Sequence, residues 1–135
     1  MNNDNTKESE EKEMGRILVV EDDTFLVDLL AKNLTSSGFK CLYAMNTNLA
    51  KSLLENNKVD LILMDIVMPG GSGLTLLKEL KVDDRFKSIP VVMISNLGQS
   101  EEIDQGMKAG AVEYLVKSNV IPAEIVAKIQ KILSK

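Results

Sequence analysis

The chain has no histidine and no tryptophan, and it has a single cysteine among its 135 residues. Without histidine, a catalytic triad built on that residue, a zinc site of mixed cysteine and histidine ligands and a histidine general base are excluded. Cys41 has no partner for an internal disulfide, and its apolar surroundings in the sequence favour a buried structural thiol. Any chemistry must therefore come from carboxylates, hydroxyls and amines.

Long apolar runs and an excess of positive charge are also missing. Because the apolar runs are short and the amino terminus is polar and acidic, the sequence predicts neither a membrane span nor a signal peptide. The net charge is -4 and no block of basic residues occurs, which argues against nucleic acid or anionic lipid as a partner. We expect a cytoplasmic protein.

The length predicts one domain. Residues 1–14 are almost all polar and cannot bury enough surface to offset the entropy of ordering, so they are predicted to form a disordered tail. Residues 15–135 are predicted to form the domain. Because the chain ends at Lys135, shortly after the last predicted helix, we expect no attached DNA-binding or enzymatic output domain.

Five short apolar runs alternate with five segments of helical periodicity. The runs are residues 17–20, 40–44, 61–64, 91–94 and 113–116, and the helices are predicted to begin near Thr24 (capped by Thr24 or Asp23), Thr47, Ser72, Ser100 and Pro122. The apolar stripes predicted to face inward include Phe25 and Leu49. Gly38 and Gly110 are predicted to end the first and fourth helices. This alternation predicts an α/β fold, with a parallel sheet and helices on both of its faces.

Polar side chains follow four of the five predicted strands. They are Glu21, Asp22 and Asp23 after the first strand, Asp65 after the third, Ser95 after the fourth and Lys117 after the fifth. In an open parallel sheet these strand ends meet at one edge, where ligands bind. Clustered carboxylates raise one another's pKa unless a cation enters, and Mg²⁺ is the hard divalent ion that suits such oxygen ligands. For Asp23, capping the first helix is the plainer role.

Several spaced motifs resemble the receiver domain of two-component response regulators, in the stand-alone form of the chemotaxis regulators. The motifs are residues 17–22, residues 63–65 with Met68, Pro69 and Gly73, residues 90–95, residues 109–111 and residues 114–117. The similarity covers about residues 16 to 133. It implies a flavodoxin-like sheet of five parallel strands in the order 2-1-3-4-5, with five helices on two faces.

The resemblance also implies a function. Asp65 would accept a phosphoryl group from a histidine kinase or a phosphotransfer protein, so the chain needs no histidine of its own. Asp22, Asp65 and the main-chain oxygen of Val67 would bind Mg²⁺ directly, and Glu21 would act through water. Such a protein catalyses only its own phosphorylation and dephosphorylation, and we expect no turnover enzyme.

Three further residues take family roles. Lys117 would pair with one phosphoryl oxygen, and Ser95 would donate a hydrogen bond to another. In the family, this hydroxyl moves toward the phosphoryl group and the aromatic residue at the position of Tyr114 turns inward. The movement remodels a face made by the fourth helix, fifth strand and fifth helix, where a downstream protein target would bind.

The chain departs from the family pattern at two places. Where the family usually has proline after the lysine, often with a cis peptide bond, this chain has Ser118. A cis bond before a non-proline residue costs about 3 kcal/mol, so we expect a trans bond and an altered loop at residues 118–121. Val67 and Leu97, each two residues beyond a site residue, are apolar and cannot orient an attacking water. We therefore expect slow self-dephosphorylation.

Functions of other classes fit less well. A phosphatase of the haloacid dehalogenase type needs a second aspartate two residues after the first, and Val67 occupies that position. A flavin-binding electron carrier needs a hydroxyl-rich and glycine-rich phosphate loop after the first strand, where this chain has three acids. The closest alternative is a degenerate receiver that binds proteins without being phosphorylated, and the intact acids, Ser95 and Lys117 speak against it.

Overall fold

The computed structural model describes residues 14–134. Its main sheet contains β1 (Arg16–Val20), β2 (Lys40–Ala44), β3 (Leu61–Asp65), β4 (Val91–Ser95) and β5 (Glu113–Val116). The helices are α1 (Thr24–Ser36), α2 (Thr47–Asn56), α3 (Gly73–Lys81), α4 (Ser100–Lys108) and α5 (Pro122–Leu133). All neighbouring strands pair in parallel, in the order β2-β1-β3-β4-β5. The predicted flavodoxin-like α/β fold is confirmed.

The sheet separates two apolar layers. Alternate residues of β1 and β3, such as Leu18 and Met64, pack with α2, α3 and α4 on one side. Their neighbours in sequence, such as Val19 and Leu63, pack with α1 and α5 on the other. Because both faces are covered, every residue of β3 and β4 is buried, which explains why the four residues before the polar end of each strand are all apolar.

The helix boundaries agree with the sequence prediction except at α2. Asp23 caps α1, Ser72 caps α3 and Pro122 is the first residue of α5. In α2, however, the side chain of Asn46 accepts the capping hydrogen bond from the N–H of Leu49, so Thr47 is the first helical residue and not the cap. An asparagine one residue earlier is an equally good cap, which sequence alone does not resolve.

Three predictions of burial are wrong. Phe25 is 72% exposed and Leu49 is 42% exposed. Each lies in the first turn of its helix, one residue before the first apolar side chain that packs against the core, which is Leu26 in α1 and Ala50 in α2. Cys41 is only partly buried, since it lies on the edge strand β2.

Several expectations concern the chain ends and the backbone. The predicted tail, residues 1–14, lies outside the described residues except for Met14. No described helix is long and apolar enough to cross a membrane. Residues 14–134 contain no cis peptide bond, so the bond between Lys117 and Ser118 is trans as expected, and it enters a short 3-10 turn at Lys117–Asn119.

Candidate phosphoacceptor site

The carboxyl ends of the strands bring the predicted site residues to one edge of the sheet. Asp65 is the last residue of β3 and Ser95 the last of β4. Glu21 and Lys117 follow directly after β1 and β5. Three of these side chains lie almost wholly inside the protein, with exposed fractions of 2% for Glu21, 5% for Asp65 and 1% for Ser95. Their burial at a polar edge marks the site, since buried polar residues are rare unless paired.

Three carboxylates converge at this edge. One oxygen from each of Glu21, Asp22 and Asp65 lies within 4.8 Å of the others, and Asp22 is exposed at the mouth. An all-oxygen, negatively charged set open on one side matches the preference of Mg²⁺, which keeps several of its waters. The residues therefore fit the predicted ion. The main-chain oxygen of Val67 as a further ligand stays a prediction.

Lys117 is the counter-charge of the buried acids. Its Nζ lies 2.8 Å from Asp65 Oδ2 and 2.8 Å from Glu21 Oε1. Only the contact with Asp65 also has the geometry of a hydrogen bond. Burial by itself would lower the pKa of the Lys117 ammonium, but the contacts with Asp65 and Glu21 outweigh it and raise the pKa. The lysine is therefore charged at neutral pH.

Glu21 is held by a backbone contact as well as by Lys117. Its Oε2 accepts a hydrogen bond of 3.0 Å from the N–H of Asp23. Burial raises the pKa of the Glu21 carboxyl above its ordinary value, although Lys117 and the Asp23 N–H oppose the shift. A second cation near this carboxylate would favour its charged form.

The segment after Asp65 holds the carboxylate in place. Asp65 Oδ1 accepts a hydrogen bond of 3.2 Å from the N–H of Val67, and a small antiparallel ladder joins Val67–Met68 to Gly71–Ser72. Gly73 then begins α3 so close to β3 that an added Cβ would clash with the main-chain oxygen of Asp65. Glycine is therefore required there. In the sequence, Gly73 is recognised only as part of a motif, and no sequence pattern indicates its contact with Asp65.

Comparisons with known proteins decide the family. A family model for the response regulator receiver domain matches residues 17–130. The chain belongs to the response regulator receiver domain family. It is 35% identical over 119 residues to the phosphate regulon transcriptional regulatory protein PhoB of Pseudomonas aeruginosa, covering 88% of this chain and 52% of that protein. The Escherichia coli PhoB is 36% identical over 120 residues, with 89% and 52% covered. This receiver domain thus spans about half the length of these curated relatives.

Solved structures agree on the fold. A response regulator structure from Chloroflexus aurantiacus has a TM-score of 0.83 and 28% identity, and the match covers 90% of this receiver and 98% of that chain. A CheY-like receiver domain protein from Methanospirillum hungatei has a TM-score of 0.80 and 28% identity, with 88% and 93% covered. Both support the predicted resemblance.

The receiver's Ser95 and Tyr114 meet through one loop. Ser95 Oγ accepts a hydrogen bond of 3.1 Å from the N–H of Leu97, and the Tyr114 hydroxyl donates one to the main-chain oxygen of Leu97. Tyr114 is only 8% exposed. Burial raises the pKa of its phenol, and the side chain of Ser95 opposes the shift. The aromatic side chain of this receiver therefore lies inward.

Asp23 does not join the three carboxylates of the receiver site. Its Oδ1 accepts hydrogen bonds of 3.0 Å from the N–H of Phe25 and 3.3 Å from the N–H of Leu26. These are the free N–H groups of the first turn of α1, which a capping side chain satisfies. Capping is thus the role that the geometry supports for Asp23.

Proposed function

We propose that this receiver domain accepts a phosphoryl group on Asp65 from the phosphohistidine of a histidine kinase or a phosphotransfer protein, in a reaction that requires Mg²⁺. The observation that carries the proposal is the surroundings of Asp65. Its buried carboxylate lies 2.8 Å from the ammonium of Lys117 and within 4.8 Å of Glu21 and Asp22. An acid held between one fixed cation and two further acids is suited to phosphoryl transfer.

The chemistry is a substitution at phosphorus. An oxygen of Asp65 attacks in line, the bond between phosphorus and the histidine nitrogen breaks, and an acyl phosphate forms. Lys117 already touches Asp65 Oδ2 and needs only a small movement to pair with a phosphoryl oxygen. Ser95 Oγ would turn from accepting the Leu97 N–H to donating to another phosphoryl oxygen. Asp22, Asp65 and the main-chain oxygen of Val67 would hold Mg²⁺ directly, and Glu21 would act through water. The ion would supply the positive charge that neutralises the phosphoryl oxygens as charge moves to the leaving nitrogen.

Labelling by a small-molecule phosphodonor tests the proposal. With acetyl phosphate and Mg²⁺, we expect intact-mass spectrometry to find one added phosphoryl group on the wild type. Asp65→Asn should show none, while Asp104→Asn, which removes an exposed acid of α4, should be labelled like the wild type. An unlabelled wild type would favour the degenerate receiver, which binds proteins without phosphorylation.

Exposed apolar side chains follow the strands whose carboxyl ends form the site, and they favour a protein donor. One occurs in the segment after each strand, and together they are Phe25, Met45, Val67, Leu97 and Ile121. A phosphohistidine domain with an apolar face could contact these side chains while its histidine reaches Asp65. Replacing Phe25 and Ile121 by serine should slow transfer from a protein donor and leave labelling by acetyl phosphate unchanged. Equal transfer rates would remove these residues from the docking surface.

The switched face would lie on α4, β5 and α5. Phosphorylation would draw Ser95 toward the phosphoryl group, and the loop at Leu97 would pass that change to Tyr114. We expect Tyr114→Ala to be labelled normally, but phosphorylation should no longer change hydrogen exchange in α4 and β5. The PhoB relatives are named as transcriptional regulatory proteins, so the partner at this face could be a separate protein or an output domain of the same polypeptide.

Turnover of phosphate esters is not part of the proposed function. A phosphatase of the related chemistry needs a proton donor two residues after its aspartate, and this position holds Val67, whose side chain carries no proton to donate. When incubated with p-nitrophenyl phosphate and Mg²⁺, the wild type should release no more nitrophenol than the Asp65→Asn variant. The chain would act only on its own phosphoryl group, as a signalling module.

A further inference from the structure

Gly106 occupies an unusual position in α4. It is the one residue of α4 that is fully buried, and it is in the helix interior, where glycine is a poor choice because it is a weak helix former. Its φ angle is not in the left-handed region, so the backbone would accept any residue. The reason for glycine must therefore lie in what packs against it.

The ring of Tyr114 packs against Gly106, in the space that a larger side chain at this position would occupy. A Cβ on Gly106 would lie 2.8 Å from Tyr114 Cδ2 and 3.2 Å from Cε2, closer than a Cβ normally approaches a ring carbon. The next neighbour, Met93 Cγ, is 4.0 Å away and would not clash. Because the aromatic ring is rigid, it could not give way by bending. It would have to rotate outward, or α4 would have to move away from β5.

The same ring is connected to the phosphoacceptor edge. The Tyr114 hydroxyl donates to the main-chain oxygen of Leu97, whose N–H donates over 3.1 Å to Ser95 Oγ. The loop that carries Leu97 is itself closely packed, since a Cβ on Gly98 would lie 3.1 Å from Val116 Cγ1. An outward ring would lose the bond to Leu97 and would release this loop.

We propose that Gly106 is a positioning residue for the switch. Because it has no side chain, the ring of Tyr114 can pack inward against α4, and this contact connects α4 to the loop of Ser95. A side chain at position 106 would bias Tyr114 outward whatever the state of Asp65. The surface of α4 and β5 would then present the phenol. Only the signalling consequence rests on the proposed phosphorylation, because the packing itself does not depend on it.

The composition makes the position of Tyr114 directly measurable. The chain has two tyrosines and no tryptophan, so in a Tyr43→Phe background the tyrosine emission comes from Tyr114 alone. We expect Gly106→Ala in this background to increase acrylamide quenching of the emission severalfold. The matched control is Met107→Ala, which truncates the adjacent exposed residue of α4 and should leave quenching unchanged. Unchanged quenching in Gly106→Ala would overturn the proposal.

A second comparison separates the clash from a general loss of folding. With the ring removed in Tyr114→Ala, Gly106→Ala should raise the midpoint of thermal unfolding, because alanine is the better helix former and nothing opposes it. With Tyr114 present, the same substitution should lower the midpoint. If Gly106→Ala lowered the unfolding midpoint equally with Tyr114 present and in Tyr114→Ala, the cost would not come from a clash with the ring, and the proposal would be wrong.

Labelling distinguishes this inference from the proposed function. Gly106→Ala lies away from the three carboxylates and Lys117, so acetyl phosphate should label it to the same extent as the wild type. If neither protein is labelled, the proposed phosphorylation fails, and the quenching result still decides the role of Gly106. If only Gly106→Ala fails to be labelled while its quenching is unchanged, Gly106 is not a positioning residue for Tyr114.

Discussion

Lys117 is the side chain on which the electrostatics of the site depend. It contacts two buried carboxylates at 2.8 Å each, and its own side chain is 17% exposed. Removing one partner of a buried ion pair is costly because the other charge stays buried without compensation. In this protein the loss would leave the carboxylates of Glu21 and Asp65 facing each other, so the cost should depend on the protonation of Glu21.

We therefore expect Lys117→Gln to lower the free energy of unfolding of the metal-free protein by about 3 kcal/mol at neutral pH. Burial already raises the pKa of Glu21 in the folded protein, and Lys117 opposes that shift, so the pKa rises further in the variant. A group with a raised folded pKa stabilises the protein below its unfolded pKa, and this contribution disappears as the pH rises through the folded value.

The difference in the free energy of unfolding between the wild type and Lys117→Gln should consequently become smaller as the pH is lowered from neutral to about pH 5. Urea unfolding at both pH values measures it. Lys128→Gln, which removes an exposed lysine of α5, serves as the control and should show little deficit at either pH. A deficit of the same size at both pH values would contradict the assignment of its origin to the buried acids.

Val67 and Leu97 set the expected lifetime of the phosphorylated form. Val67 is 62% exposed and Leu97 is partly exposed, so both side chains border the open site without offering a polar atom. Since hydrolysis requires a positioned water, we expect Val67→Asn combined with Leu97→Glu to speed loss of phosphate on the order of tenfold. The decay of phosphorylated protein after removal of the donor gives the rate. Alanine at both positions is the control, and an unchanged decay in the polar variant would refute the idea.

At the scale of elements, the start of α1 separates two adjacent acids by role. Asp23 caps the helix through two backbone N–H groups, whereas Asp22 belongs to the carboxylate cluster. We expect Asp23→Ala to lower the free energy of unfolding by about 1 kcal/mol and to leave Mg²⁺ affinity unchanged. Asp22→Ala should lower the affinity for Mg²⁺ and leave the free energy of unfolding of the metal-free protein nearly unchanged. Denaturant titration and a Mg²⁺ titration on both variants measure the pair, and a loss of Mg²⁺ binding in Asp23→Ala would place that residue in the metal site.

Elements were predictable from sequence where local signals decide them. The strand ends and most helix caps follow from apolar runs, glycines and capping residues, so the convergence of Asp65, Ser95 and Lys117 could be predicted from the sequence. The failures at Phe25 and Leu49 have one cause. Helical periodicity shows which face is apolar, but it does not show where the sheet beneath the helix ends.

Contacts between distant segments were not predictable. Gly106 and Tyr114 lie on different elements, and glycine in a helix carries no signal of the ring above it. The pairing of Lys117 with Glu21 likewise joins the first and last strand ends of the site. A single sequence places each residue at its strand end but leaves the partner within the cluster open.

For the whole molecule, the two apolar layers and the polar edge of the sheet have different roles. The core on both faces of the sheet keeps the strand ends fixed, so the site is assembled before any ligand arrives. The loop at Leu97 connects that edge to Tyr114 of β5 through two hydrogen bonds, and the ring of Tyr114 packs against Gly106 of α4. A signal would therefore leave the site through a few hydrogen bonds while the core stays unchanged.

The fixed edge also predicts a linkage between Mg²⁺ and global stability. Because the three carboxylates are held together only in the folded chain, an ion that binds them stabilises folding, by about 1.4 kcal/mol at tenfold its dissociation constant. Thermal unfolding with increasing MgCl₂ should show this rise, and KCl of matched ionic strength should reproduce little of it. In Asp22→Asn, which keeps the fold but removes one exposed ligand, the specific rise should largely disappear. An equal rise in Asp22→Asn would mean that the ion acts elsewhere on the chain, and the carboxylate cluster would then lose its assignment as the metal site.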